Sequence, residues 1–143
     1  MKEIKIQEKD NFCLCSILQT IFKEHQIQIS QTEISGQLTK SRCGFLVDDS
    51  AIKNFLISQG FNYNFYWYNE IPFNESDLLL KEMNNYHGVI GIKTHTYLLN
   101  EFKDPLLTII DPQNSSLINS DIFLIRGEME KKGGFFGLLK YIL

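Results

Sequence analysis

Apolar residues recur at helical spacing from Cys13 onward: Leu14, Ile17, Leu18, Ile21 and Phe22 fall at i, i+3, i+4, i+7 and i+8. That stripe predicts a buried helix from Cys13 to His25. A polar, turn-prone stretch (Glu8, Lys9, Asp10, Asn11) runs into it, which places Cys13 in the first turn. Upstream, residues 2–6 alternate and predict a short edge strand. Downstream, Ser30 and Glu33 have the S-x-x-E spacing of a capping box. They predict a short second helix with Ile34 and Leu38 turned inward. Residues 39–45 read as a loop. Asp48 and Asp49 offer N-caps for a third helix whose apolar face is Ala51, Ile52, Phe55 and Leu56, with Gly60 as its stop.

After Gly60 the period changes to two. Phe61, Tyr63, Phe65 and Trp67 alternate with Asn62, Asn64, Tyr66 and Tyr68, the pattern of a half-buried strand. Residues 69–77 read as a loop, with Ser76 or Asn74 capping a short helix through Leu79, Leu80 and Met83. Runs at 88–93, 95–102 and 106–111, separated by short turns, predict an antiparallel meander. Residues 120–125 fit a short helix or a strand, and 133–143 a glycine-broken segment ending in a strand. Helices first and antiparallel sheet second is the order of an α+β fold, N-terminal helices packed against a C-terminal sheet. Neither repeat nor linker is visible, so residues 1–143 read as one domain.

Composition narrows the function. The chain has 143 residues, 43% hydrophobic and 22% charged, with formal charge −3. These are ordinary values for a globular protein. The absence of a basic stripe argues against a nucleic-acid partner. The N-terminus lacks the apolar core of a signal peptide, and no run approaches the roughly 20 apolar residues of a membrane span. A cytoplasmic protein is expected. Three cysteines do not suggest a disulfide scaffold there. Cys13 and Cys15 are not spaced as a CxxC pair; Cys15 reads as core and Cys43 as a loop thiol.

Cys13 is the chemically suggestive one. Free N–H groups and the dipole at a helix start favour an anion and lower a thiol pKa. The ordinary alternative is a small buried hydrophobe. A nucleophilic thiol needs a base, usually His, and a third group to orient it. His25 closes the same helix, about 18 Å from its start at 1.5 Å per residue, and reads as a cation at the helix C-terminus. His95 opens one predicted strand and Asp111 ends the next, so an antiparallel hairpin brings them together. His87 and Asp104 have nearly the same separation and remain the alternative pair. Asp111 is preferred because it ends an apolar run, residues 106–111, and an orienting carboxylate is best held by a rigid strand.

With Gln7 six residues before Cys13, and Pro112 directly after Asp111, the order and spacing resemble a known family. It comprises the papain-like cysteine peptidases that trim bacteriocin and peptide-pheromone leaders after a double glycine. These usually form the N-terminal domain of an ABC exporter. The resemblance covers about residues 5–125. It departs at Phe12-Cys13-Leu14, where the family usually has Asp-Cys-Gly, and at Tyr86-His87-Gly88, where a Pro often begins the strand. Leu14 is expected to narrow the cleft.

The resemblance implies a papain-like cysteine peptidase domain. In it Cys13 attacks a carbonyl, His95 is the base and Asp111 fixes its tautomer. The Gln7 side chain and the Cys13 backbone N–H would hold the oxyanion. It implies a precursor peptide as substrate, a separate ABC exporter as partner, and no metal or organic cofactor. Three other functions fit the same residues: a papain-like acyltransferase of the butirosin-biosynthesis type, a catalytically degenerate leader-binding domain, and a structural domain with coincidental spacing.

Overall fold

The structure, a computed structural model, describes residues 3–38 and 50–142. Cys43 and the caps expected at Asp48 and Asp49 lie outside these residues. The elements run α1 (Cys13–Glu24), α2 (Gln31–Gln37), α3 (Ser50–Ser58), β1 (Phe61–Trp67), α4 (Ser76–Asn84), β2 (His87–Ile92), β3 (His95–Lys103), β4 (Leu106–Ile110), β5 (Leu117–Asp121), α5 (Ile122–Lys132) and β6 (Gly134–Tyr141).

Helix α1 forms as its stripe predicts: Leu14, Ile17, Leu18, Ile21 and Phe22 are at most 1% exposed. Burial of each such side chain contributes about 1.5–3 kcal/mol. The Ser30–Glu33 box closes in both directions at the start of α2. Gly60 adopts φ 95° after α3, a backbone conformation that stops a helix cheaply only at glycine.

The strands form one antiparallel sheet in the order β1-β6-β2-β3-β4-β5. From β2 to β4 it is the expected meander, and β5 extends it by one antiparallel strand. The last strand instead slots between β1 and β2. Its composition explains this. Phe135 and Leu139 enter one core cluster, Phe136 and Leu138 the other. A strand apolar on both faces has to be covered on both, which only a central position provides. Gly91 makes room for it: a Cβ there would stand 1.9 Å from the Phe135 ring. Helices α1–α3 bury the first cluster and α4 and α5 the second, so the sheet is sandwiched.

Three expectations are corrected. Residues 3–6 form no strand; Lys5 N–H donates to Thr20 Oγ1 at 2.9 Å, a side chain, where a strand would find a neighbouring backbone. Neither Asn74 nor Ser76 caps α4. The cap position is Glu75, with no side-chain bond, and a 3₁₀ turn at Phe73–Glu75 leads straight into the helix. Residues 120–125 divide between a strand end and a helix start, with Asp121 accepting from Phe123 N–H at 2.7 Å as the cap.

Candidate active site

His95 opens β3 directly across from Ile92, and the connecting turn is held by Lys93 N–H donating to Gly133 O at 2.9 Å. Asp111 follows β4, whose register pairs Leu98 with Ile110. One step further, Asp111 stands beside Tyr97 and diagonal to His95. The diagonal is closed by a 2.7 Å hydrogen bond between His95 Nε2 and Asp111 Oδ1. The carboxylate is itself fixed. Gln113 N–H donates to the same oxygen at 2.9 Å, Asp111 N–H donates to Ser116 O, and Ser115 N–H donates to Asp111 O.

The other nitrogen of the ring, Nδ1, is left for the sulfur, and His95 is hydrogen-bonded to Cys13. Cys13 is 3% exposed, whereas 29% of the His95 side chain is open to solvent. Phe12 holds the cap position before α1 and provides no side-chain hydrogen bond. Such caps normally satisfy the first-turn N–H groups and are worth about 0.5–2 kcal/mol. The start of the helix is also the positive pole of its dipole, which favours an anion there.

Electrostatics follow from the contacts. The Cys13 hydrogen bond raises the His95 pKa to about 9. The Asp111 hydrogen bond and the charges of both partners add to it, and burial opposes it. The ring is then an imidazolium at neutral pH, facing a sulfur on one side and a carboxylate on the other. Burial, followed by the charges of Asp111 and Cys13, pushes the Tyr97 phenol up and keeps it neutral.

Gln7 lies in the adjoining segment, and its backbone N–H donates to Pro112 O at 2.9 Å, just past Asp111. Its Nε2 donates to Lys9 O and Asp10 O, both at 2.9 Å. Both amide hydrogens thus brace the turn before Cys13. To serve an oxyanion, one must exchange a backbone carbonyl for the substrate oxygen. Leu14 does not stand in the cleft as expected: it is 0% exposed and packs in the first core cluster.

Two residues escaped the sequence reading. Tyr97 packs edge-to-face on the His95 ring, centroids 4.6 Å apart. Its i+2 position on the same face of a strand was the available signal. Gln31, 1% exposed, donates to Ile6 O at 2.9 Å and accepts from Glu8 N–H at 2.8 Å, bracketing Gln7. No local pattern announced that contact.

The rival histidines are elsewhere. His25 caps the far end of α1, and its Nε2 lies 2.7 Å from His87 Nε2. The His25 ring stacks on Tyr141 at 4.0 Å, and Glu24 lies 3.6 Å from His87 Nδ1. Asp104 stands in the turn between β3 and β4, whereas His87 opens β2. Among the described residues no group of three or more His, Cys, Asp or Glu could hold a metal ion, and no helix is long and apolar enough to cross a membrane.

No family model and no curated protein sequence matches the chain. Solved structures do. The peptidase domain of Streptococcus ComA, a bifunctional ABC transporter of a quorum-sensing pathway, aligns with a TM-score of 0.69 at 15% identity, covering 99% of each chain. A double-glycine-motif protease from an AMS/PCAT transporter, solved with its leader peptide, aligns at 0.64 and 11% identity, covering 98% of this chain and 93% of that one. The helices and six-stranded antiparallel sheet described here thus have the fold of those peptidase domains.

Proposed function

We propose that the chain is a papain-like cysteine peptidase that removes the leader of a precursor peptide, cutting after a double-glycine motif. The observation that carries this reading is the continuous chain of contacts from the Cys13 sulfur through the His95 ring to the Asp111 carboxylate at the start of α1. The likeness in fold to leader-processing domains supports the substrate class.

The chemistry then runs as follows. The Cys13 thiolate attacks the scissile carbonyl carbon, forming the S–C bond and a tetrahedral oxyanion. Backbone N–H of Cys13 and an amide hydrogen of Gln7 hold that oxyanion, a contribution of about 10²–10³ in rate per donor. The C–N bond breaks as His95 hands its proton to the leaving amine, leaving a thioester on Cys13. His95, now neutral, takes a proton from water; the hydroxide attacks the thioester, the S–C bond breaks, and the leader departs as a carboxylic acid. Asp111 keeps Nε2–H oriented throughout, so Nδ1 is the nitrogen that exchanges protons. This chemistry calls for no metal or organic cofactor. An ABC exporter would receive the trimmed peptide, and the reaction would take place in the cytoplasm.

The test is a synthetic precursor whose amphipathic leader ends in Gly-Gly, incubated with protein and followed by mass spectrometry. Cleavage after the second glycine by the wild type, and none by Cys13→Ser, is expected. An intact peptide, or cleavage that survives Cys13→Ser, overturns the proposal. A leader joined to an added amine would mark an acyltransferase instead.

A further inference from the structure

We propose that Tyr97 is a positioning residue for the His95 imidazole, holding its plane so that Nδ1 stays aimed at the Cys13 sulfur. The inference rests on the cysteine-peptidase reading above and adds a residue to it.

A single hydrogen bond does not fix a ring. The 2.7 Å contact to Asp111 anchors Nε2 but leaves the imidazole able to swing about the line joining that nitrogen to Cβ. Swinging moves Nδ1 off the sulfur, and small misplacements of a reacting atom cost large factors in rate. Something must block the motion from the side. His95 and Tyr97 project from the same face of β3, and their rings meet at 86° with centroids 4.6 Å apart. That is the favoured edge-to-face geometry of an aromatic pair. Tyr97 also packs on the second core cluster, which contains Leu99, Ile109 and Phe136. The ring that supports His95 is thus tied to the packed interior of the sheet. The phenol hydroxyl plays no part in this role, since it is the π-face and edge that touch the imidazole. Phenylalanine should therefore serve equally well, and an aliphatic residue should not.

The experiment measures iodoacetamide labelling of Cys13 against pH in wild type, Tyr97→Phe and Tyr97→Val, with folding of each checked by circular dichroism. Tyr97→Phe should stay within about twofold of wild type, while Tyr97→Val should fall about tenfold at pH 7, with its labelling midpoint moved to higher pH. A loss in Tyr97→Val with rescue in Tyr97→Phe supports the assignment. An unchanged rate and midpoint in folded Tyr97→Val overturns it, as does a Tyr97→Phe variant as slow as Tyr97→Val. Should Tyr97→Val not fold, the carbon-bound ring protons of His95 in the wild type decide. Ring current from Tyr97 should displace them from free-histidine NMR shifts, and undisplaced signals overturn the proposal. If wild-type Cys13 itself labels no faster than Cys15, the failure belongs to the cysteine-peptidase reading.

Discussion

Helix α1 has a histidine cluster at each end, and the two are built from similar parts. At the start, a histidine opening β3 meets Cys13, with a carboxylate in reach. At the finish, a histidine opening β2 meets His25, with a carboxylate nearby. What differs is polarity and partner. The N-terminal end presents N–H groups and the positive pole of the helix, suited to an anionic sulfur; the C-terminal end presents carbonyls. At the start, Asp111 lies 2.7 Å from the ring nitrogen and is itself pinned by Gln113. At the finish, Glu24 lies 3.6 Å away and is 43% exposed. There the two imidazoles share one contact, in which one ring donates and the other accepts. Stacked on Tyr141 and packed against Phe61, that pair clamps α1 to the sheet. A buried histidine is therefore read by the group its second nitrogen faces.

The contrast breaks most sharply on single substitutions. His95→Ala should lower kcat/KM by about 10⁴–10⁶, whereas His87→Ala should leave it within a few-fold and instead reduce thermal stability. Equal activity losses would erase the distinction between the clusters. Asp111→Asn should cost about 10²–10⁴ in kcat, because an amide no longer imposes the tautomer. Gln7→Ala should cost about 10²–10³ in kcat with little change in KM, as expected of an oxyanion donor. A loss confined to KM would make Gln7 a brace of the 7–10 turn and nothing more.

Smaller effects sharpen the picture. Gly91→Ala should destabilise the fold by about 1–3 kcal/mol, since the new methyl must displace the Phe135 ring; unchanged denaturant unfolding would count against the packing described. The raised pKa of His95 also links folding to pH. A group whose folded pKa lies above its unfolded value stabilises fully below the unfolded value, near 6.5, and that stabilisation is lost as pH rises through about 9. Wild type should therefore lose about 1 kcal/mol relative to His95→Ala across that window, a figure reduced for the ring's partial exposure to solvent. A pH-independent difference would show that the pairing does not form.

Much of this was legible because it is local. The α1 stripe, the Ser30–Glu33 box and the alternation from Phe61 each obey a short-range rule. The His95–Asp111 contact needed only two strands joined by a tight turn, and the structure has that contact. Long-range effects were not legible. The insertion of β6 between β1 and β2 depends on its two apolar faces finding cover from helices on both sides. Helix α5 was blurred because Phe123 and Leu124 are exposed, 61% and 66%, and interrupt the stripe of Ile122, Ile125 and Met129. Leu14 looked like a cleft residue from its place beside Cys13, but the helical turn between neighbours sends it into the core. Gln31 reaches Gln7's neighbours across 25 and 23 residues, a contact no spacing rule anticipates.

The most direct test of the central claim is the rate at which iodoacetamide labels Cys13, read by peptide mapping at neutral pH in wild type, His95→Ala and His87→Ala. The account predicts fast labelling of Cys13 but not Cys15 in wild type, collapse of that rate in His95→Ala, and its retention in His87→Ala. Slow and equal labelling of both cysteines in wild type, or a rate indifferent to His95, would contradict it.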